Sequence, residues 1–203
     1  RNLNDYCTLH WQFKRPGKVM DEVYIRKILD GDRGAFKFII SKYKDMAYSI
    51  AMSVIRNEYD AEEIIQTSFV NAFNNLHSFR RNSKFSTWFY RIVINESFKF
   101  SGKRKTEFID FNETLPDISN DTLNPLLKLE EDDQKYIINE ALKHLPPKEC
   151  LSLRLFYLEQ NSIDEIREIT GWSVSDIKVT LHRARIRLKN VIVKVYKLNP
   201  KVL

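Results

Sequence analysis

Phe79, Phe85, Trp88, Phe89 and Tyr90 stand among Arg80, Arg81, Lys84, Arg91 and Lys99 in the stretch FRRNSKFSTWFYRIVINESFKF. Cations attract phosphates, and flat apolar faces receive bases that have left a duplex, so one reading is a surface for single-stranded nucleic acid. Arg80, Asn82, Ser83 and Lys84 form a polar break whose side chains can bond an everted base and its phosphates. Phe79 and Phe85 flank that break and are the stacking candidates, whereas Trp88, Phe89 and Ile92 recur at helical spacing and read as core.

A second basic stretch, SVSDIKVTLHRARIRLK, offers duplex chemistry. Side chains near a helix start, here Ser173 and Ser175, can meet base edges in a major groove, while Lys178, His182, Arg183, Arg185, Arg187 and Lys189 supply charge for phosphates. An ordinary helical hairpin with a solvated basic face is the plainer alternative. His182 has no metal-ligating or general-base constellation around it, and the scattered carboxylates show no acid and base pair at a recognisable spacing, so no catalysis, metal or cofactor is expected. Cys7 and Cys150, the only cysteines, form no CxxC pair and no ligand-spaced set with the four histidines, so neither a disulfide framework nor a zinc site is suggested and a reducing cytoplasm fits.

Helices must position both stretches. No proline occurs between Pro16 and Pro116. Apolar residues recur at three- and four-residue steps through Ala35, Phe36, Ile39, Ile40, Tyr43, Ala47 and Ile50, and again through Ile64, Ile65, Phe69, Ala72, Phe73 and Leu76. Asp60 is the expected N-cap of the latter helix, with Glu63 completing a capping box. A third helix continues through Trp88, Ile92 and Asn95 towards Gly102. Further on, Ile137, Ala141, Leu142 and Leu145 share one face, and Pro147 can open the next helix, which carries Leu151, Leu153, Leu155 and Leu158. Ser162 and Glu165 make a second capping box, Gly171 allows a tight turn, and Ser173 or Ser175 opens a longer helix with Val174, Ile177, Leu181 and Leu188 inward. That outline is a helix-turn-helix.

The expected fold is therefore all-α, with two helical domains joined by an acidic linker and a helix-turn-helix in the second. Charge marks the joint: residues 1–106 carry 19 basic against 11 acidic side chains, residues 107–133 carry one against nine, and residues 135–203 carry 13 against seven. The total of +6 and a pI near 9.2 favour acidic partners. Domains are expected at 20–102 and 134–197, with a linker at 103–133 and a tail at 198–203. Residues 1–19 read as an upstream segment outside the fold, because Met20 is followed at once by the amphipathic DEVYIRKILDGD. No apolar run approaches the roughly 20 residues that span a bilayer, so no membrane insertion is expected.

With both blocks in view, the chain resembles the extracytoplasmic-function sigma factors, two-domain specificity subunits of bacterial RNA polymerase. GDRGAFKFIISKY, DAEEIIQTSF, FRRNSKFSTWFYRIVIN, LPPKECLSLRLFYLE and DEIREITGWSVSDIKVTLHRARIRL occur in the family's order and spacing. The resemblance implies a non-enzymatic initiation factor that joins core RNA polymerase, recognises two promoter elements and melts the minus-ten element. By that resemblance Asp60, Glu63 and Gln66 lie on a face that binds the clamp of the largest subunit, with Thr67 where an acid is common. The loop from Phe79 to Phe85 captures a flipped base of the non-template strand, and Arg91 and Asn95 help hold the melted strand.

The second domain is then the reader of the minus-thirty-five element, touching the polymerase flap, with family contacts at Lys178, Val179, His182 and Arg183. Val179 stands where Ser is frequent and can touch a thymine methyl instead. Arg167 replaces a small residue between the two helices of the motif, so it must snorkel out or widen them. The acidic linker is either a mimic of a phosphate chain in the RNA channel or a solubilising tether. An anti-sigma factor is a common partner in the family. Two rivals remain at this point: a duplex-only helix-turn-helix regulator and a nucleic-acid-processing enzyme.

Overall fold

The structure, a computed structural model, describes residues 18–107 and 131–196, and those residues are helical almost throughout. The first block holds α1 (Lys18–Leu29), α2 (Phe36–Ile55), α3 (Glu58–Asn74) and α4 (Phe85–Glu107). A short 3-10 turn, Arg33–Ala35, leads into α2, and another, Leu76–Ser78, follows α3. The second block holds α5 (Glu131–Lys143), α6 (Pro147–Leu153), α7 (Ile163–Thr170) and α8 (Val174–Tyr196). Helix α1 starts ahead of the expected boundary at Met20, and α4 and α5 run into the two ends of the acidic stretch. Residues 1–17, the rest of that stretch and the tail lie outside the described residues.

Apolar stripes close the first block. Ile25, Ile39, Ile50, Leu76 and Phe89 are fully buried, and Phe69 stacks on Phe89 with ring centroids 4.7 Å apart. One polar lock joins α1 to α2. Asp21 is buried, accepts a hydrogen bond from the Tyr43 hydroxyl at 2.7 Å, and pairs with the Lys42 ammonium. Burial, then the hydrogen bond and charge of Asp21, raises the Tyr43 phenol beyond its ordinary range, so Tyr43 remains a donor to the carboxylate.

Two local expectations need correction. Asp60 does not cap α3: Asn57, in extended backbone, accepts from the Asp60 amide at 3.1 Å, and the helix begins at Glu58. The turn ahead of it depends on Arg56 in the left-handed region at φ 58, and arginine carries no sequence signal for such a turn. Likewise, the helix through Leu151 and Leu158 is not uniform. It widens into a π turn at Arg154–Leu158, with the Glu159 amide donating to the Arg154 carbonyl at 3.0 Å. The Asn161 backbone and side-chain amides then both donate to the Leu155 carbonyl, which ends the segment.

Leu145, Leu151, Leu155, Ile166 and Ile177 are fully buried in the second block, and Pro147 occupies the first turn of α6 as its missing N–H permits. The blocks are packed together, α2 against α6 and α4 against α7. Across this seam the Arg56 guanidinium donates to the Leu145 carbonyl, and the Tyr90 hydroxyl donates to Glu159 Oε2 at 3.2 Å.

The Asp21 lock generates a stability prediction. Asp21→Ala removes the acceptor shared by two buried donors and is expected to cost about 3 kcal/mol in urea unfolding, against about 1 kcal/mol for Tyr43→Phe. Equal, small effects would show that α1 is held by its apolar stripe alone.

Candidate nucleic-acid and polymerase surfaces

Caps build the helix-turn-helix. The Glu165 amide donates to Ser162 Oγ at 3.2 Å while the Ser162 amide donates to Glu165 Oε2 at 2.8 Å, so two otherwise unpaired donors of α7 are satisfied. Ile166 and Ile169 bury the inner face. Gly171 then takes φ 75 and its amide donates to the Arg167 carbonyl at 2.8 Å, a left-handed stop that favours glycine. Ser173, rather than Ser175, caps α8 by accepting from the Asp176 amide at 3.1 Å. The Lys148 ammonium pairs with Asp176 at 2.6 Å and lies 4.8 Å from the centre of the Trp172 ring, which ties the start of α6 to the turn.

The outer face of α8 presents Ser173, Ser175, Lys178, Val179, His182 and Arg183, all exposed. Arg185 behaves differently. It is half-buried at the flank, donating from Nε to the Tyr157 hydroxyl at 2.6 Å with its guanidinium over the Phe156 and Tyr157 rings, so it braces the π turn instead of joining that face. Arg167 snorkels out and pairs with Asp164 at 3.6 Å, and the two helices of the motif stay in contact.

The loop between Ser78 and Phe85 exposes Arg80, Arg81 and Asn82, with Ser83 half-buried and Lys84 exposed. Arg81 adopts φ 57, which turns the chain back toward α4. The ring assignment reverses the sequence reading in part. Phe85 is 3% exposed and lies within 6 Å of Phe79, Trp88, Phe89 and Tyr43, so it is core and no platform for a base. Trp88 is only half-buried and, with Phe79, forms the accessible ring surface beside the loop. Helical spacing could not separate these rings, because the core of the block lies on the Phe85 and Phe89 side of α4. Arg91 and Asn95 are exposed on the same helix.

On α3, Glu63 and Gln66 are exposed and Asp60 is half-buried. Tyr59, 85% exposed, and Val70, 58% exposed, lie on the same helix, and the sequence reading did not single them out. The reading also missed two contacts of the seam. Lys84 pairs with Glu165, and the Arg91 guanidinium donates to the Glu168 carbonyl. Glu165 was visible in the sequence as a cap, and nothing local signalled its distant cation. Among the described residues there is no group of three or more His, Cys, Asp and Glu side chains that could hold a metal, and no helix long and apolar enough to cross a membrane.

A helical block with a basic, ring-lined loop, followed by a helix-turn-helix, is the pairing found in sigma subunits of bacterial RNA polymerase. Sigma-70 region 2 matches residues 39–106 and sigma-70 region 4 matches residues 135–188. The ECF RNA polymerase sigma factor SigW of Bacillus subtilis (strain 168) is 31% identical over 182 residues, covering 85% of this chain and 96% of its own. The ECF sigma-E factor of Haemophilus influenzae is 28% identical over 188 residues, with 86% and 96% covered. Among solved structures, the sigma factor RpoE bound to the anti-sigma factor NepR from Bartonella quintana shares the fold at a TM-score of 0.60 and 23% identity, covering 77% of this chain and 96% of that one.

The chain belongs to the extracytoplasmic-function sigma factors. It is a promoter-specificity factor that binds core RNA polymerase and recognises promoter DNA, and it is not an enzyme. The duplex-only regulator and the processing enzyme both give way to this assignment.

Because Phe85 is core, Phe85→Ala is expected to destabilise the first block by about 3–5 kcal/mol, read as a lower urea midpoint. Trp88→Ala should cost less stability and more strand opening. An unchanged midpoint with impaired opening in Phe85→Ala would return that ring to the DNA.

Proposed function

We propose a division of labour among the exposed residues. Ser173, Ser175, Lys178, Val179, His182 and Arg183 on α8 read the duplex minus-thirty-five element, with Lys178 and Arg183 on phosphates and Val179 able to touch a thymine methyl. The exposure of all six on one face of α8 is the observation that carries this reading. Arg80, Asn82, Ser83, Lys84, Arg91 and Asn95 hold the melted non-template strand, and Phe79 with Trp88 takes the bases. Glu63 and Gln66, extended by Tyr59 and Val70, meet the polymerase clamp, with Asp60 at their edge.

The reaction itself is polymerase chemistry, and the sigma subunit contributes binding energy alone. Phosphate contacts position the duplex, and contacts available only to extruded bases favour the open strand. The domain limits expected at 20–102 and 134–197 shift to the helix ends, 18–107 for the clamp and minus-ten functions and 131–196 for the minus-thirty-five and flap functions. We also place the chain in the cytoplasm, where bacterial transcription occurs. The Bartonella relative is bound to an anti-sigma factor. A proteinaceous inhibitor of that kind is the regulator proposed for this chain.

Replacing Lys178 and Arg183 together with Ala is expected to weaken minus-thirty-five duplex binding and to reduce the dependence of log affinity on log salt by about 2. Capture by core polymerase should stay at the level of the unmodified chain. Gel-shift titrations across salt, beside a core pull-down, check both; joint loss of DNA and core binding would refute the separation of roles.

A further inference from the structure

The seam between the blocks falls on the strand-holding cations and spares the duplex-reading face. Lys84 and Arg91, both assigned above to the melted strand, are engaged by α7: one by the Glu165 carboxylate, the other by the Glu168 carbonyl. Tyr90, next to Arg91, donates to Glu159 Oε2 at 3.2 Å just ahead of α7. An anionic oxygen and a carbonyl oxygen thus stand where a nucleic-acid backbone would present its own oxygens to the same two side chains. Burial pushes the Glu165 carboxyl up, but the hydrogen bond from Lys84, the bonds from Ser162 and the Lys84 charge outweigh it, keeping the group ionised.

We propose that α7 occupies the minus-ten strand site in the free chain, so that packing of the two blocks and capture of single-stranded DNA exclude one another, while the outer face of α8 stays open to duplex DNA. This rests on the assignment of Lys84 and Arg91 to the strand. The exclusion is asymmetric because Ser173, Ser175, Lys178, Val179, His182 and Arg183 are exposed with the blocks packed. It is also reversible. The Lys84 and Glu165 side chains are 45% and 23% exposed, so salt and competing phosphates weaken their pair. Arg80, Arg81 and Asn82 remain exposed beside the seam and give an incoming strand its first contacts before α7 is displaced.

Glu165→Gln isolates the charge, since glutamine also serves at this position of a capping box and α7 keeps its start. In the full chain, E165Q is expected to bind a fluorescein-labelled 12-nucleotide oligothymidine about fivefold more tightly than the unmodified protein in anisotropy titrations at low salt, through a larger strand-competent fraction. Binding no tighter than that of the unmodified protein overturns the proposal. A second readout does not depend on the substitution. A nitroxide at Asp164→Cys, in a chain carrying Cys7→Ser, should broaden amide signals of residues 84–91 in the free protein, and saturating oligothymidine should relieve that broadening. Broadening that persists with the strand bound to the loop overturns the exclusion. Either failure in a chain that still binds core polymerase and opens a promoter leaves the sigma assignment standing, whereas failure to bind core removes the functional reading itself.

Discussion

Phe89 is the point on which the first block depends. It has no solvent exposure, and the rings of Phe69, Tyr43 and Phe85 lie 4.7, 5.9 and 5.9 Å from it, so α2, α3 and α4 converge on one side chain. Aromatic packing of this kind fixes orientation as well as depth, because stacked and edge-on geometries are preferred over others. With α4 held there, the half-buried Trp88 lies at the margin of the core and Arg91 is exposed, and the loop before the helix exposes Arg80, Arg81 and Asn82. The exposed, basic edge of this block is a consequence of which ring the core selected.

The second block relies on polar termini in place of large rings. Short helices leave many backbone groups unpaired at their ends, and here Ser162, Glu165, Gly171 and Ser173 satisfy them within a dozen residues. Lys148, Trp172 and Asp176 then clamp the turn from α6. Arg185, which a charge count alone would assign to DNA, is used to hold Tyr157 at the π turn. Basic residues on one helix therefore divide between an exposed outer face and internal bracing.

Glu165 connects the two designs. Its carboxylate closes the N-terminus of α7 and also meets Lys84 from the other block, so a residue required locally for the motif is available to the long-range seam at no further cost in sequence. The same economy applies to Arg91, whose partner is a backbone carbonyl near the helix end of α7, where carbonyls lack intrahelical donors. Contacts of this type hold two basic blocks together, and they set cations of the first block, Lys84 and Arg91, against oxygens of the second.

Much of this was determined by the sequence alone. Apolar spacing placed the helices, the acidic stretch separated two basic blocks, and Ser162, Glu165 and Gly171 specified the helix-turn-helix, because periodicity, caps and turns are local and each residue type announces its role. Ordered motifs across the chain then identified the family. The start of α3 was misplaced because the left-handed Arg56 is a tertiary accommodation with no residue signal. Phe85 and Trp88 were exchanged between core and surface because both lie on the apolar side of a helical wheel, and only the approach of Tyr43 from α2 decides which one is covered. Tertiary structure alone decided that α7 meets α4, since the pairing of Lys84 with Glu165 spans the whole joint between blocks, and opposite charges so far apart in sequence carry no mark of which will meet.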